Sequence, residues 1–242
     1  MEQLGIDIGG SGMKGAIVDT DTGNLVTERY RTATPNPSTP DAMAEVLTQI
    51  PKEFNWKGRI GCGFPAPIKE GKVLTANNID KSWLGVKAHK VFAKAFGCKV
   101  IVINDADAAG LAEMKFGAGR GISGVVLLLT IGTGIGSALF VDGKLVPNSE
   151  FGQIELRGKK GERRASDRTR SKKEMSWKQW SKVLGEYINA VESLVWPDLI
   201  IIGGGVSKKA DKFLPRIEAR ARIVPAQLRN EAGIVGAALC AT

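Results

Sequence analysis

The chain has 242 residues, 43% of them hydrophobic, which is enough apolar material for one large domain or two smaller ones. Three widely spaced cysteines argue against a disulfide framework and a thiolate metal site, and the single histidine, His89, excludes a histidine triad or a multi-histidine metal site. No apolar stretch reaches the roughly 18 residues of a membrane span, and residues 1–5 do not resemble a secretory signal. We therefore expect a cytoplasmic protein, with no membrane partner, whose acid-base chemistry depends on carboxylates.

Two glycine-rich segments, residues 6–19 and 129–142, resemble each other. Each indicates a strand, a glycine turn and a second strand, followed by turn residues that predict a further hairpin. The sequence GSGMKG at residues 10–15 also matches the fingerprint of dinucleotide-binding folds, but that site needs a helix after the glycines, whereas residues 16–19 predict a strand. A protein-kinase glycine loop is unsupported as well, because the chain has no His-Arg-Asp motif. The pattern predicts two related halves.

Strand and helix patterns alternate further along the chain. Residues 100–103 are apolar and β-branched, which is typical of a buried strand, and they precede an alanine-rich helix predicted over residues 106–116. Apolar residues recur at helical spacing over residues 177–194 until a proline ends the pattern, and residues 199–202 predict a strand that enters three glycines. This alternation predicts an α/β fold.

The predicted boundary between two domains lies near residue 106. It gives domains at residues 1–106 and 107–242, with a last helix at about residues 231–240 that can return to pack on the first domain. In this arrangement the two glycine turns face each other across a cleft and offer backbone N–H groups to one set of phosphates. Glycine suits this role because a backbone without Cβ atoms approaches phosphate oxygens closely.

The predicted phosphate-binding set contains the glycine turns and their polar neighbours. Its members are Asp7, Gly9, Gly10, Ser11, Lys14, Gly132, Thr133, Gly134, Gly203, Gly204 and Gly205. Asp7 ends the first strand, where its carboxylate is expected to hold Mg²⁺ directly or through water. Lys14 would add positive charge. The alternative is that these are ordinary hairpin glycines; the repeat, together with the glycines at residues 203–205, favours the phosphate site.

Asp105 is the candidate catalytic residue. Phosphoryl transfer to an alcohol needs a group that accepts the hydroxyl proton and positions the oxygen in line with the phosphorus, and an aspartate at the end of a strand can do both. The alternative is that Asp105 caps the helix that follows it. Its neighbour Asn104 is a candidate for hydrogen bonding to sugar hydroxyl groups.

Positive charge is concentrated in residues 157–182. Eleven Lys or Arg stand there against three acidic residues, so this segment carries +8 of the formal net charge of +9. Such a cluster attracts polyanions: nucleic acid, an anionic membrane surface or a phosphate-rich substrate. A solvated and partly mobile loop is the alternative.

Five motifs together resemble the bacterial ROK sugar kinases, and within that family the branch of polyphosphate glucokinases that includes the polyphosphate/ATP glucomannokinase type. They are GIDIGG with KG at residues 5–15, ANNIDKSW at 76–83, INDADAAG at 103–110, GTGIGS at 132–137 and RNEAGIVGAA at 229–238. The resemblance covers nearly the whole chain. It implies an actin-like ATPase (ribonuclease H-like) fold, with two α/β domains flanking a cleft. It also implies transfer of a phosphoryl group from polyphosphate or ATP to glucose, with mannose as a second sugar.

The resemblance also implies roles for individual residues. Asp105 matches the family's base, and the expected hexose-binding set is Asn78, Asn104, Asp105, Glu150, Gln153 and Glu162. Gln153 is a departure, because such kinases usually have a sugar-contacting histidine there; glutamine still donates and accepts hydrogen bonds. Taken singly, Asn78 could cap a turn, and Glu150 and Glu162 could be solvated charges. The cysteine-rich zinc motif of many ROK proteins is missing after Gly158, so no zinc is expected, and a homodimer is implied.

Three alternative functions remain open at this point. The first is a hexose kinase that uses ATP but not polyphosphate. The second is a sugar-sensing regulator that binds nucleic acid; we expect no nucleic-acid partner, because Asp7 lies too near the start for a helix-turn-helix domain ahead of it. The third is a sugar binder weakened by Gln153. In the favoured interpretation, the basic segment and Lys81 steer polyphosphate.

Overall fold

A computed structural model describes all 242 residues, which divide into two compact units. The first unit contains residues 1–112 and 231–242, and the second contains residues 113–230. Each unit holds one five-stranded sheet covered by helices, so the predicted α/β class is confirmed. The helices are all too short or too polar to cross a membrane.

The sheet of the first unit combines an antiparallel hairpin with parallel strands. Its spatial order is β3 (Tyr30–Thr32), β2 (Met13–Asp19), β1 (Glu2–Ile8), β4 (Ile60–Phe64) and β7 (Val100–Asn104). The first three strands are antiparallel neighbours, whereas β1, β4 and β7 run parallel. The carboxyl ends of these three parallel strands therefore meet at one edge of the sheet, where ligands of α/β folds usually bind.

Helices and short strands complete the first unit. They are α1 (Pro40–Leu47), α2 (Gln49–Glu53), the hairpin of β5 (Ile68–Lys69) with β6 (Lys72–Val73), a 3-10 turn (Lys81–Trp83), α3 (Ala88–Phe96), the start of α4 (Asp105–Phe116) and α8 (Ala232–Leu239). The alanine-rich α8 packs directly on β1 and β4. A Cβ atom at Gly61 would lie 1.7 Å from the Ala237 carbonyl oxygen, so this close approach requires glycine.

The sheet of the second unit has the same plan. Its spatial order is β10 (Lys144–Val146), β9 (Ile135–Val141), β8 (Val125–Ile131), β13 (Leu199–Gly203) and β14 (Arg222–Pro225). An antiparallel hairpin again adjoins parallel strands, with β8–β9 in the place that β1–β2 holds in the first unit. Both glycine-rich segments thus form the predicted strand, turn and strand.

The helices of the second unit lie mostly in and beside the basic segment. In chain order the unit contains a 3-10 turn (Phe151–Gln153), β11 (Glu155–Leu156), β12 (Lys159–Lys160), α5 (Gly161–Ala165), α6 (Asp167–Lys172), α7 (Trp177–Val195), two 3-10 segments (Gly205–Lys212 and Leu214–Arg216) and a third at Arg229–Glu231. The alternative of a loop over residues 157–182 is therefore wrong, because most of these residues lie in short strands and helices. Ser176 and Gln179 form a capping box that begins α7, whose apolar face packs in the core with Trp180 and Leu184.

Candidate functional site

Two acidic residues lie at the carboxyl edge of the first sheet. Asp7 on β1 pairs with Gly63 on β4, which in turn pairs with Ile103 on β7. Asp105 follows the end of β7 and is the first residue of α4. Neighbouring strands are about 4.8 Å apart, so the backbones of Asp7 and β7 are separated by roughly 10 Å. The structure thus brings both predicted carboxylates to the same edge.

Asn104 and Asp105 lie together where β7 ends and α4 begins. The Asn104 side chain is 5% exposed, and its Oδ1 accepts the backbone N–H groups of Ala106 at 2.9 Å and Asp107 at 3.0 Å. Asn104 is therefore the N-cap of α4. Asp105 is partly exposed, and its Oδ1 accepts the Ala106 N–H at 2.8 Å, which helps to orient the carboxylate. The cap role considered for Asp105 thus belongs mainly to its neighbour.

The first glycine turn is fixed by its own backbone and by one threonine. The Gly9 N–H donates to the Gly12 carbonyl at 3.1 Å, and the Thr34 hydroxyl donates to the Gly9 carbonyl at 2.6 Å. Gly10 and Ser11 are exposed at the tip. The backbone at Asn78 lies against this tip, since a Cβ atom at Gly10 would be 3.4 Å from the Asn78 carbonyl oxygen. The exposed Asn78 side chain forms no hydrogen bond, so it does not cap a turn.

Asp7 is a carboxylate that the protein itself leaves without a hydrogen-bond donor. It faces Lys14 across the β1–β2 hairpin, and α8 covers it so closely that a Cβ atom at Gly233 would lie 2.9 Å from the Asp7 Cγ. Burial raises the pKa of Asp7, and the positive charge of Lys14 offsets part of that rise. One such carboxylate, completed by substrate phosphates and water, fits the coordination that Mg²⁺ prefers.

The two glycine turns of the second unit lie beside each other. The Gly132 N–H donates to the Gly134 carbonyl at 3.0 Å, and the Arg168 N–H donates to the Gly132 carbonyl at 3.1 Å. Gly204 has a φ of +77°, and a Cβ atom there would lie 2.4 Å from the Ile131 carbonyl oxygen at the end of β8. The predicted phosphate-binding glycines of this unit, with the exposed Thr133, are thus brought together.

Open space borders two of these glycines. Cβ atoms built on Gly132 and Gly205 would meet no atom within 4 Å, and neither residue has a positive φ. Neither the backbone conformation nor the packing of the protein requires glycine at these positions. A bare backbone beside open space is what close approach of a phosphate group would require.

Gln153 connects a lysine with a glutamate. The Lys160 ammonium donates to the Gln153 Oε1 at 2.6 Å, and the Gln153 Nε2 donates to the Glu162 Oε1 at 3.2 Å. The second carboxylate oxygen of Glu162 points at the glycine turn, since a Cβ atom at Gly134 would lie 2.6 Å from it. Gln153 and Glu162 are therefore in direct contact beside the turn, whereas Glu150 is exposed.

A buried tyrosine lies behind these acidic side chains. The Tyr187 hydroxyl is buried and has no hydrogen-bond partner. Burial is the main cause of its strongly raised pKa, and the negative charges of Glu162 and Glu150 contribute. The phenol therefore keeps its proton.

Sequence reasoning missed three contributions to these surroundings. They are the Thr34 hydroxyl on the first turn, the Gly233 backbone against Asp7 and the Lys160 ammonium on Gln153. Gly233 lies in the RNEAGIVGAA motif and Lys160 lies in the basic segment, both of which the sequence analysis identified. Neither pattern indicates that Gly233 would contact Asp7 or that Lys160 would contact Gln153. Nothing in the sequence distinguished Thr34.

Comparison with known proteins gives consistent matches along the chain. Residues 3–154 match the ROK family. A polyphosphate glucokinase from Mycobacterium tuberculosis (strain CDC 1551 / Oshkosh) is 48% identical over 237 residues, which are 98% of this chain and 89% of the relative. The crystal structure of the inorganic polyphosphate/ATP-glucomannokinase from Arthrobacter sp. strain KM superposes with a TM-score of 0.96 at 48% identity, covering 98% of this chain and 97% of the other.

A more distant structure has the same fold. The ROK family glucokinase from Streptomyces griseus, crystallised with glucose and AMPPNP, has a TM-score of 0.86 at 23% identity and covers 100% of this chain and 99% of its own. Together with the paired sheets, these matches confirm the predicted actin-like ATPase fold. The chain therefore belongs to the ROK family.

Proposed function

We propose that this chain is a polyphosphate glucokinase, which transfers a phosphoryl group from polyphosphate to the 6-hydroxyl of glucose. The observation that carries the proposal is the 48% identity, over 98% of the chain, to a polyphosphate glucokinase. Because a relative of equal identity is a polyphosphate/ATP-glucomannokinase, the proposal extends to ATP as a second donor and mannose as a second acceptor.

In the proposed mechanism Asp105 is the general base. Its carboxylate accepts the proton of the 6-hydroxyl as the sugar oxygen forms a bond to the terminal phosphorus. The bond between that phosphorus and its bridging oxygen breaks, and the shortened donor leaves with the electron pair. Asn104 supports this role by capping α4, because the cap fixes the first turn of the helix on which Asp105 stands.

The sugar-binding roles are assigned to polar side chains in each unit. In the first unit we assign hexose hydroxyl groups to Asn78, whose side chain forms no internal hydrogen bond, and to the remaining amide group of Asn104. In the second unit we assign them to Glu150 and to the hydrogen-bonded pair of Gln153 and Glu162. Carboxylate and amide groups suit this task because they accept or donate several hydrogen bonds to vicinal hydroxyls.

The donor phosphates are assigned to the glycine turns with Ser11, Lys14 and Thr133. Backbone N–H groups in such turns form concave anion sites, and Lys14 adds a positive charge. Asp7 would hold Mg²⁺, which when bound neutralises charge on the transferring phosphates. We also propose a homodimer, as the resemblance implies, and a cytoplasmic location, as the sequence pattern predicts; analytical ultracentrifugation of the purified protein measures the oligomeric state.

The test compares Asp105→Asn with Asp41→Asn, which makes the same chemical change at an exposed aspartate in the first turn of α1. Glucose 6-phosphate formation is followed with polyphosphate or ATP as donor and Mg²⁺ present. We expect Asp105→Asn to lose roughly 10²- to 10⁴-fold in kcat with either donor, whereas Asp41→Asn keeps the wild-type rate. Equal rates for both variants would contradict the role of Asp105. Wild-type turnover with ATP alone would instead support an ATP-dependent hexose kinase.

A further inference from the structure

A basic groove opens on the surface of the second unit. Its volume is about 430 Å³, and its lining residues are Glu155, Gly158, Lys159, Lys160, Arg163 and Lys173. They come from β11 and β12, from the turn between these strands, from α5 and from the end of α6. Four cationic side chains and one carboxylate therefore surround one open space, and no aromatic or aliphatic side chain lines it.

Ion pairs balance three of the cations of the basic segment that lie outside the groove, and none of those that line it. Arg157 and Arg164 both pair with Glu186, and Arg170 pairs with Asp167. In contrast, Lys159, Arg163 and Lys173 form no ion pair in the structure. Their positive charges repel one another across the groove, and a bound polyanion would remove that repulsion.

Direct contacts connect the groove to the glycine turn of the same unit. Lys160 lines the groove and donates to Gln153, which donates to Glu162, whose other oxygen faces Gly134. The backbone provides a second connection, because α6 begins beside the turn and the Arg168 N–H donates to the Gly132 carbonyl. Only the side chains of Glu162, Gln153 and Lys160 lie between the turn and the groove along this path, so an anionic chain that has one end at the turn can extend toward the groove.

We propose that this groove is a distal subsite for linear inorganic polyphosphate, which binds phosphate groups beyond the one that is transferred. The assignment rests on the proposed function. Polyphosphate fits better than the adenosine of ATP, because the groove offers cations for phosphate oxygens and lacks the aromatic surface on which a base would stack. The subsite therefore acts on long donors and has no role with ATP.

The test uses the triple variant Lys159→Gln, Arg163→Gln, Lys173→Gln. Its matched control is Lys172→Gln, Lys178→Gln, Lys182→Gln, which removes the same charge from exposed positions of the same segment outside the groove. Lys160 is left in place because it contacts Gln153. Binding of long-chain polyphosphate is measured directly by calorimetry over a salt series, and glucose phosphorylation is measured with long polyphosphate, tripolyphosphate and ATP.

We expect the groove variant to bind long polyphosphate about tenfold or more weakly at low salt than the control variant does. Its slope of log affinity against log salt should fall by about 2, at about 0.7 for each phosphate contact that is lost. The KM for long polyphosphate should rise while the values for ATP and tripolyphosphate stay near wild type. Equal losses in both triple variants would show an effect of total charge alone and would overturn the subsite, as would unchanged binding in the groove variant.

The binding measurement keeps this proposal separate from the proposed function. If the wild-type protein formed no glucose 6-phosphate, the kinase assignment would fail, but the comparison of polyphosphate binding between the two triple variants would still decide the subsite. Conversely, if the protein phosphorylated glucose from polyphosphate and the two variants bound this donor equally, the kinase would stand without the subsite.

Discussion

Gly204 offers a sharp test of how the phosphate-binding turns are built. Its φ is +77° and its ψ is −178°, a combination that almost only glycine adopts. A Cβ atom would also lie 2.4 Å from the Ile131 carbonyl oxygen and 2.7 Å from the Ile131 N, which are backbone atoms at the end of β8. Alanine at this position would therefore strain the backbone and push the 203–205 turn away from the 132–134 turn.

The expected magnitude follows from these two effects. The unfavourable backbone conformation costs about 1–3 kcal/mol, and the steric overlap costs about 1–3 kcal/mol more. Gly204→Ala should thus lower the free energy of unfolding by about 2–6 kcal/mol. For a chain of this length, the melting temperature would fall by about 4 °C or more.

Gly205→Ala is the matched control. A Cβ atom at Gly205 meets no atom within 4 Å and the φ is not positive, so its stability should change by less than about 0.5 kcal/mol. Urea unfolding followed by tryptophan fluorescence measures both variants. Equal stability of the Gly204 and Gly205 variants would refute the reasoning, because the backbone conformation and the overlap distinguish these neighbours.

Two further predictions concern the other phosphate-site residues. Gly132→Ala should unfold within about 0.5 kcal/mol of wild type and yet raise the KM for the phosphate donor, because the open space that it fills is assigned to phosphate; unchanged donor kinetics would contradict this. Asp7→Asn should be more stable than wild type near pH 8. The raised pKa of Asp7 means that the folded protein binds more protons, so wild-type stability falls as pH rises above 3.8. The gain should vanish at lower pH in urea unfolding, and a gain that did not depend on pH would exclude the ionisation of the buried Asp7 carboxyl as its cause.

The sequence predicted the fold correctly wherever a local pattern was compatible with only one type of secondary structure. The continuous β-branched run at residues 100–103 became β7, and the helical spacing at residues 177–194 became α7, because a buried strand is apolar on both faces and an amphipathic helix repeats its apolar positions every three to four residues. The basic segment was harder to predict. Its short helices α5 and α6 have only two turns or fewer, too few for a hydrophobic period to show. Tertiary contacts hold them instead: α5 packs against α7, and α6 packs against α5 and places the Arg170 guanidinium over the Trp177 ring.

In the candidate site, the sequence likewise indicated which residue types are present but not which atoms they contact. The sequence placed Asp7 and Asp105 at strand ends, because the end of an apolar stretch is visible in one dimension. It offered Asp105 as the alternative cap of α4, whereas Asn104 is the cap in the structure; both side chains can accept the N–H groups of a first turn. That choice depends on the direction in which each side chain leaves the end of β7, which only the folded chain specifies.

The glutamine at position 153 can be understood from its two hydrogen bonds. Lys160 has donors only, so it faces the carbonyl oxygen of Gln153 and thereby turns the amide nitrogen toward Glu162. A neutral histidine, which also has one acceptor and one donor, offers the same pattern, and Gln153 thus preserves the pairing that a histidine could make. Unlike histidine, glutamine does not titrate near neutral pH. The hydrogen bond that orients Glu162 is therefore independent of pH in the range where a histidine would gain a charge.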